Sequence, residues 1–120
     1  MTLVRTLIRI ALKAANESRC RYRMGAVVAD GPRVLAARAN LRRNAPDVDY
    51  LNATFHAEEA ALRRVRSPAG TVLYVARVDA SGNAAMARPC PRCERMLAEA
   101  GVVGVYFTTW DGEVDYLRLG

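Results

Sequence analysis

The 120-residue chain contains no run of the ~18 to 20 apolar residues needed to cross a bilayer, which excludes a helical membrane span. Its first residues hold neither a secretory apolar stretch nor a cleavage-like small-residue site. Cysteine is too scarce for a disulfide framework. Three residues cannot pair completely, and two of them sit together in Cys90-Pro91-Arg92-Cys93, a metal hook suited to a reducing, cytoplasmic compartment. Lysine is almost missing: among 18 basic residues only Lys13 is one, the rest being arginine. The chain has no internal repeat and no low-complexity segment, so neither a solenoid nor a disordered tail is expected.

What is present describes one globular domain spanning residues 1–120, with 52% hydrophobic and 25% charged residues and a mean hydropathy of -0.04. The net charge of +6 and pI near 9.8 invite a nucleic-acid partner. So lopsided an arginine-to-lysine ratio equally suits a coding bias, and both readings stay open.

Met1 to Ala15 places Leu3, Val4, Leu7, Ile8, Ala11 and Leu12 on one helical face, with Arg5, Arg9 and Lys13 opposite. This is read as the first helix of the domain rather than an organelle transit peptide. Met24–Ala29 and Arg33–Arg38 read as strands joined by an Asp30-Gly31 hairpin turn. Residues 40–55 form a connection long enough to suggest function. His56–Arg66 reads as a helix, Thr71–Ala76 as a strand, Asp79–Arg88 as a loop and Pro91–Ala100 as a helix. Val102–Thr109 and Val114–Leu119 close the chain as an antiparallel hairpin about Asp111-Gly112. The order α-β-β-α-β-α-β-β gives an α/β fold of three layers, α/β/α, around a five-stranded mixed sheet.

Chemistry concentrates in His56-Ala57-Glu58 and Pro89-Cys90-Pro91-Arg92-Cys93. One imidazole and two thiolates suit one zinc ion by softness, and three protein ligands leave a fourth tetrahedral position for water, as in catalytic sites. All three ligands fall at expected helix N-termini, where the dipole favours thiolates. Glu58, two residues beyond the histidine, is placed to move protons without binding metal. Spacing by itself supports a hydrolytic zinc site and no particular reaction.

Phe55-His-Ala-Glu-Glu-Ala-Ala-Leu62 and Arg88-Pro-Cys-Pro-Arg-Cys-Glu-Arg-Met-Leu97 resemble the two motifs of the cytidine/deoxycytidylate deaminase superfamily. Ala100-Gly101-Val102, leading into a strand that ends Thr108-Thr109, is also similar to its members, so the resemblance covers nearly the whole chain. It implies a cytidine deaminase-like fold, with His56, Cys90 and Cys93 as zinc ligands and Glu58 as proton shuttle. The Cys90 backbone N–H would help hold the attacking hydroxide, and Asn40 would contact sugar or base. The substrate implied is cytosine in a free nucleoside or nucleotide, with ammonia released. The closing hairpin looks like the cytidine and blasticidin branch, yet that branch often has cysteine as first ligand where His56 stands here. The Asp79–Met86 stretch is similar to small phage and actinobacterial deaminase-like proteins.

Further substrate contacts are expected from Ala57, Phe55 and Trp110, the two aromatics stacking on a pyrimidine, and from Arg42, with Arg43, holding a phosphate. Glu59 is expected to pair with Arg63, and Arg88 and Arg92 to tune the thiolates. Cys20 is expected to be an inert thiol. A small enzyme with few closing loops is expected to complete its pocket as a homo-oligomer. Two alternatives are carried: a cytosine deaminase acting on single-stranded DNA or RNA, and a non-catalytic binding module with a structural zinc.

Overall fold

The computed structural model describes residues 2–20, 22–42 and 54–119, except for the side chains of residues 2, 41, 42, 54 and 55. Helix α1, Thr2–Asn16, buries Leu7, Ile8, Ala11 and Ala15 and keeps Arg5, Arg9 and Lys13 exposed, as the amphipathic pattern requires. It packs on β1 (Arg23–Asp30) and β5 (Val72–Val78) through Val27, Ala29, Tyr74 and Ala76. The approach is close at Gly25, where a Cβ would run into the Ala11 carbonyl and come within 2.5 Å of the Ala15 amide nitrogen. Glycine is therefore required there for packing.

Strand side chains alternate between faces. Ala26 and Val28 of β1 and Leu73 and Val75 of β5 point away from α1, into a second core with Ala57, Ala61, Leu97, Val102, Val105 and Phe107. That core is covered by α2, Ala57–Leu62, and α3, Pro91–Glu99. The layers are α/β/α, as the element order implied.

The sheet runs β2-β1-β5-β7-β8, with β2 at Arg33–Ala39, β7 at Gly104–Thr108 and β8 at Val114–Arg118. Only β5 and β7 pair in parallel, across the connection that carries α3; the other pairs are antiparallel. The expected five strands are thus present. A sixth, the two-residue β6 at Ala84–Ala85, pairs with β5 inside the stretch expected to be loop. Within the long connection, β3 at Leu41–Arg42 pairs with β4 at Thr54–Phe55.

Several boundaries differ from the sequence reading, most of them by one or two residues. Helix α2 ends at Leu62 rather than Arg66, because Arg64 and Val65 donate to carbonyls three residues back and tighten the turn. The last hairpin turns over residues 109–113, closed by the Thr109 N–H to the Glu113 carbonyl at 2.9 Å, with Gly112 at φ 81°. Among the described residues no helix is long and apolar enough to cross a membrane.

Candidate active site

Helices α2 and α3 begin with residues that do not cap them through their side chains. His56 is the N-cap of α2, and its carbonyl accepts the Ala60 N–H at 3.0 Å. Cys90 is the N-cap of α3, its carbonyl accepting the Glu94 N–H at 2.8 Å, with Pro91 in the first turn where no N–H is needed. Serine or aspartate would turn its side chain back onto the free N–H groups. Here imidazole and thiol make no such bond and remain available as ligands. Cys93, one turn into α3, is fully buried.

The donor atoms of His56, Cys90 and Cys93 lie within 4.8 Å of one another. Nδ1 of His56 is 3.3 Å from Sγ of Cys93. In a tetrahedral zinc site, bonds of ~2.0 Å to nitrogen and ~2.3 Å to sulfur put those two atoms about 3.5 Å apart. The donor set and its spacing therefore fit one zinc ion. At Cys93 burial outweighs the helix dipole. Burial pushes this thiol well above its usual range, with the Glu58 carboxylate and Cys90 adding to the effect, so a thiolate here needs a cation beside it. Cys20 is not a fourth donor: its Sγ meets the Asn40 carbonyl at 3.5 Å.

Glu58 follows His56 into the first turn of α2 and is 1% exposed. Its Oε1 is buried without a hydrogen-bond partner among the described residues. Burial raises its pKa above the usual carboxylate value, opposed by a backbone hydrogen bond and by His56. Glu59 instead points to α3, where the Arg92 guanidinium pairs with Oε1 at 2.5 Å and ties the two helix starts together. Arg92 thus acts on a carboxylate of the neighbouring helix.

A cavity of about 430 Å³ opens over these groups, lined by His56, Glu58 and Cys90 together with Tyr22, Met24, Asn40, Arg77, Met86 and Arg88. That volume lies in the ordinary range for small-molecule sites, roughly 300 to 1,000 Å³. Asn40 lies in the wall of this cavity. Ala57 does not line the cavity and is fully buried in the core. Trp110 is 64% exposed and sits outside the lining, with its ring 5.3 Å from the Arg77 guanidinium. Arg42 and Phe55 have only their backbones described, and Arg43 lies outside the described residues.

Sequence reasoning passed over Arg77 and Tyr22. A signal for Arg77 existed: it is the one charged residue in Val72–Val78, and alternation puts it on the face of Leu73 and Val75, toward α2 and α3.

Residues 1–109 match the family model described as the cytidine and deoxycytidylate deaminase zinc-binding region. Among solved structures, the chain is similar to the dCMP deaminase of cyanophage S-TIM5, at 25% identity and a TM-score of 0.71, covering 91% of this chain and 84% of that one. It is similar to the cytidine deaminase of Mycobacterium tuberculosis at 28% identity and a TM-score of 0.61, over 97% and 89% of the two chains. The cytidine deaminase of Burkholderia pseudomallei shares the fold, with 20% identity, a TM-score of 0.72 and coverage of 97% and 92%. No curated protein matches the chain.

Proposed function

Since the chain belongs to the cytidine and deoxycytidylate deaminase family, we propose that it hydrolytically deaminates cytosine in a free nucleoside or nucleotide. The observation that carries this reading is Glu58, a buried carboxylate with an oxygen unpartnered among the described residues, on the cavity that His56 and Cys90 also line. In a merely structural zinc site such a carboxylate would be a cost with no return.

Zinc held by His56, Cys90 and Cys93 supplies Lewis acidity that makes water nucleophilic near neutral pH. Glu58 accepts a proton from the attacking water and passes it to the ring nitrogen beside the carbon bearing the amino group. It then takes the proton of the newly bonded hydroxyl and gives it to the departing amine. The base gains a carbonyl oxygen, ammonia leaves, and Glu58 returns to its starting state. A carboxyl whose pKa is raised by burial holds a proton readily between these transfers.

Self-association is part of the reading, because a small enzyme with few closing loops needs a neighbouring copy to complete its pocket. A monomeric mass from light scattering would count against it.

Ammonia release by the zinc-loaded protein tests the reaction. The panel contains cytosine, cytidine, deoxycytidine, deoxycytidylate, adenosine, guanine and a cytosine-containing single strand. Turnover of a small cytosine compound is expected. Activity on the strand alone would replace the proposed substrate with a polynucleotide, and silence with one zinc bound would favour a binding module.

A further inference from the structure

Arg77 stands at the cavity wall with a charge that no described carboxylate answers. No carboxylate pairs with it among the described residues, and its Nε is buried without a hydrogen-bond partner. A guanidinium offers donors and no acceptor, so Nε–H calls for an acceptor from a ligand. Two aromatic rings hold it in place. The Tyr22 ring centroid is 5.0 Å from the guanidinium carbon and that of Trp110 is 5.3 Å away. Such contacts offset part of the charge and restrict the side chain, but they offer no hydrogen-bond acceptor.

The charge balance of the cavity points the same way. Among the described residues Glu58 is the one acidic group of the lining, set against Arg77 and Arg88. A zinc dication with two thiolates is formally neutral, so these described groups carry an excess positive charge. A neutral nucleoside would leave that excess unmet. A phosphate monoester would meet it, and its oxygens match the planar fork of a guanidinium.

We infer that Arg77, held between Tyr22 and Trp110, is the subsite for a phosphate monoester, so that the cavity takes a cytosine nucleoside monophosphate in preference to the nucleoside. The inference rests on the deaminase reading above and narrows its substrate class. It also gives Trp110 a role other than stacking on the pyrimidine: its ring steadies the arginine.

The test is calorimetric binding of deoxyuridine monophosphate and of deoxyuridine, which are not turned over, to the zinc-loaded protein. In the parent protein the nucleotide should bind at least tenfold more tightly than the nucleoside. In Arg77→Gln that ratio should fall towards one, and in Arg77→Lys, which keeps the charge but not the fork, it should lie between. Zinc content and a urea midpoint report whether each variant folds. If the glutamine variant does not, a reduced ratio in Arg77→Lys supports the subsite and an unchanged one overturns it. A ratio near one in the parent protein, a ratio that survives Arg77→Gln, or binding of neither ligand overturns it as well. Ammonia release separates the two readings. Turnover without a phosphate preference removes the subsite and keeps the deaminase. Arg77-dependent nucleotide binding without turnover keeps the subsite and removes the reaction.

Discussion

The Ser18 hydroxyl donates a 2.6 Å hydrogen bond to Oδ1 of Asn40, joining the segment after α1 to the end of β2. The same oxygen accepts the Met24 N–H at 3.0 Å, while Nδ2 donates to the Tyr22 carbonyl at 2.6 Å. Both acceptor positions of the amide oxygen are taken, and the backbone partners fix which end of the amide is which. Asn40 can therefore meet a ligand in the cavity only as a donor, through its second Nδ2 hydrogen.

Asn40→Asp tests that network. It preserves shape but sets an oxygen against the Tyr22 carbonyl, and Asn40 is 6% exposed. An unfolding free energy lower by about 1 to 3 kcal/mol is expected. Urea denaturation with an unchanged slope checks it; a midpoint equal to that of the parent protein would show that the network holds nothing together.

Glu58→Gln removes the proton carrier and leaves all three zinc donors. Ammonia release should fall by roughly 10² to 10⁴, the usual contribution of a positioned acid–base group, while zinc content stays at one per chain. Loss of zinc together with activity would instead make Glu58 part of the metal site.

Metal removal should weaken the fold as well as the site, because His56 and Cys90 begin α2 and α3 and a zinc ion bridging them binds only the native state. Dialysis against a chelator is expected to lower the melting temperature, and one equivalent of zinc should restore it. In Cys93→Ser, zinc addition should no longer raise it. A melting temperature indifferent to chelator would rule out this coupling.

Gly25→Ala places a methyl group where α1 already touches β1. The clash is with backbone, so no side chain can swing away, and a cost of about 1 to 3 kcal/mol or more is expected. Chemical denaturation measures it. A variant as stable as the parent would mean that α1 shifts freely on the sheet.

Tyr74 stacks on Tyr106 with ring centroids 5.2 Å apart, and Tyr106 lies 4.6 Å from Tyr116. Burial raises the Tyr74 pKa above its ordinary value, and the two neighbouring phenols add to this. The folded value exceeds the unfolded one near 10. The associated stability is therefore complete below that pH and is lost as pH rises through the folded value. Alkaline unfolding followed by circular dichroism should shift to higher pH in Tyr74→Phe; an unchanged midpoint would show that Tyr74 ionisation does not drive it.

Much of this protein was legible in its sequence because the signals are local. The period of α1, the glycine turns at Gly31 and Gly112, and Pro91 following Cys90 depend on neighbours a few residues apart. The extent of α2 was overestimated because composition does not reveal where carbonyls accept from three residues on rather than four. The strand β6 was missed because two alanines carry no pattern; their pairing with Arg77 and Val78 exists only once β5 offers an edge.

The donor types, their spacing and the layering are legible in the chain alone, since the identities of His56, Glu58, Cys90 and Cys93 and the order of helices and strands are written there. What surrounds them comes from tertiary packing. Among the described residues it buries Glu58 and leaves Oε1 unpartnered, pairs Glu59 with Arg92, and sets Arg77 against the rings of Tyr22 and Trp110. Those relations join residues far apart in sequence through one sheet and two helix starts. Burial and charge pairing depend on three-dimensional neighbours, which no local pattern encodes.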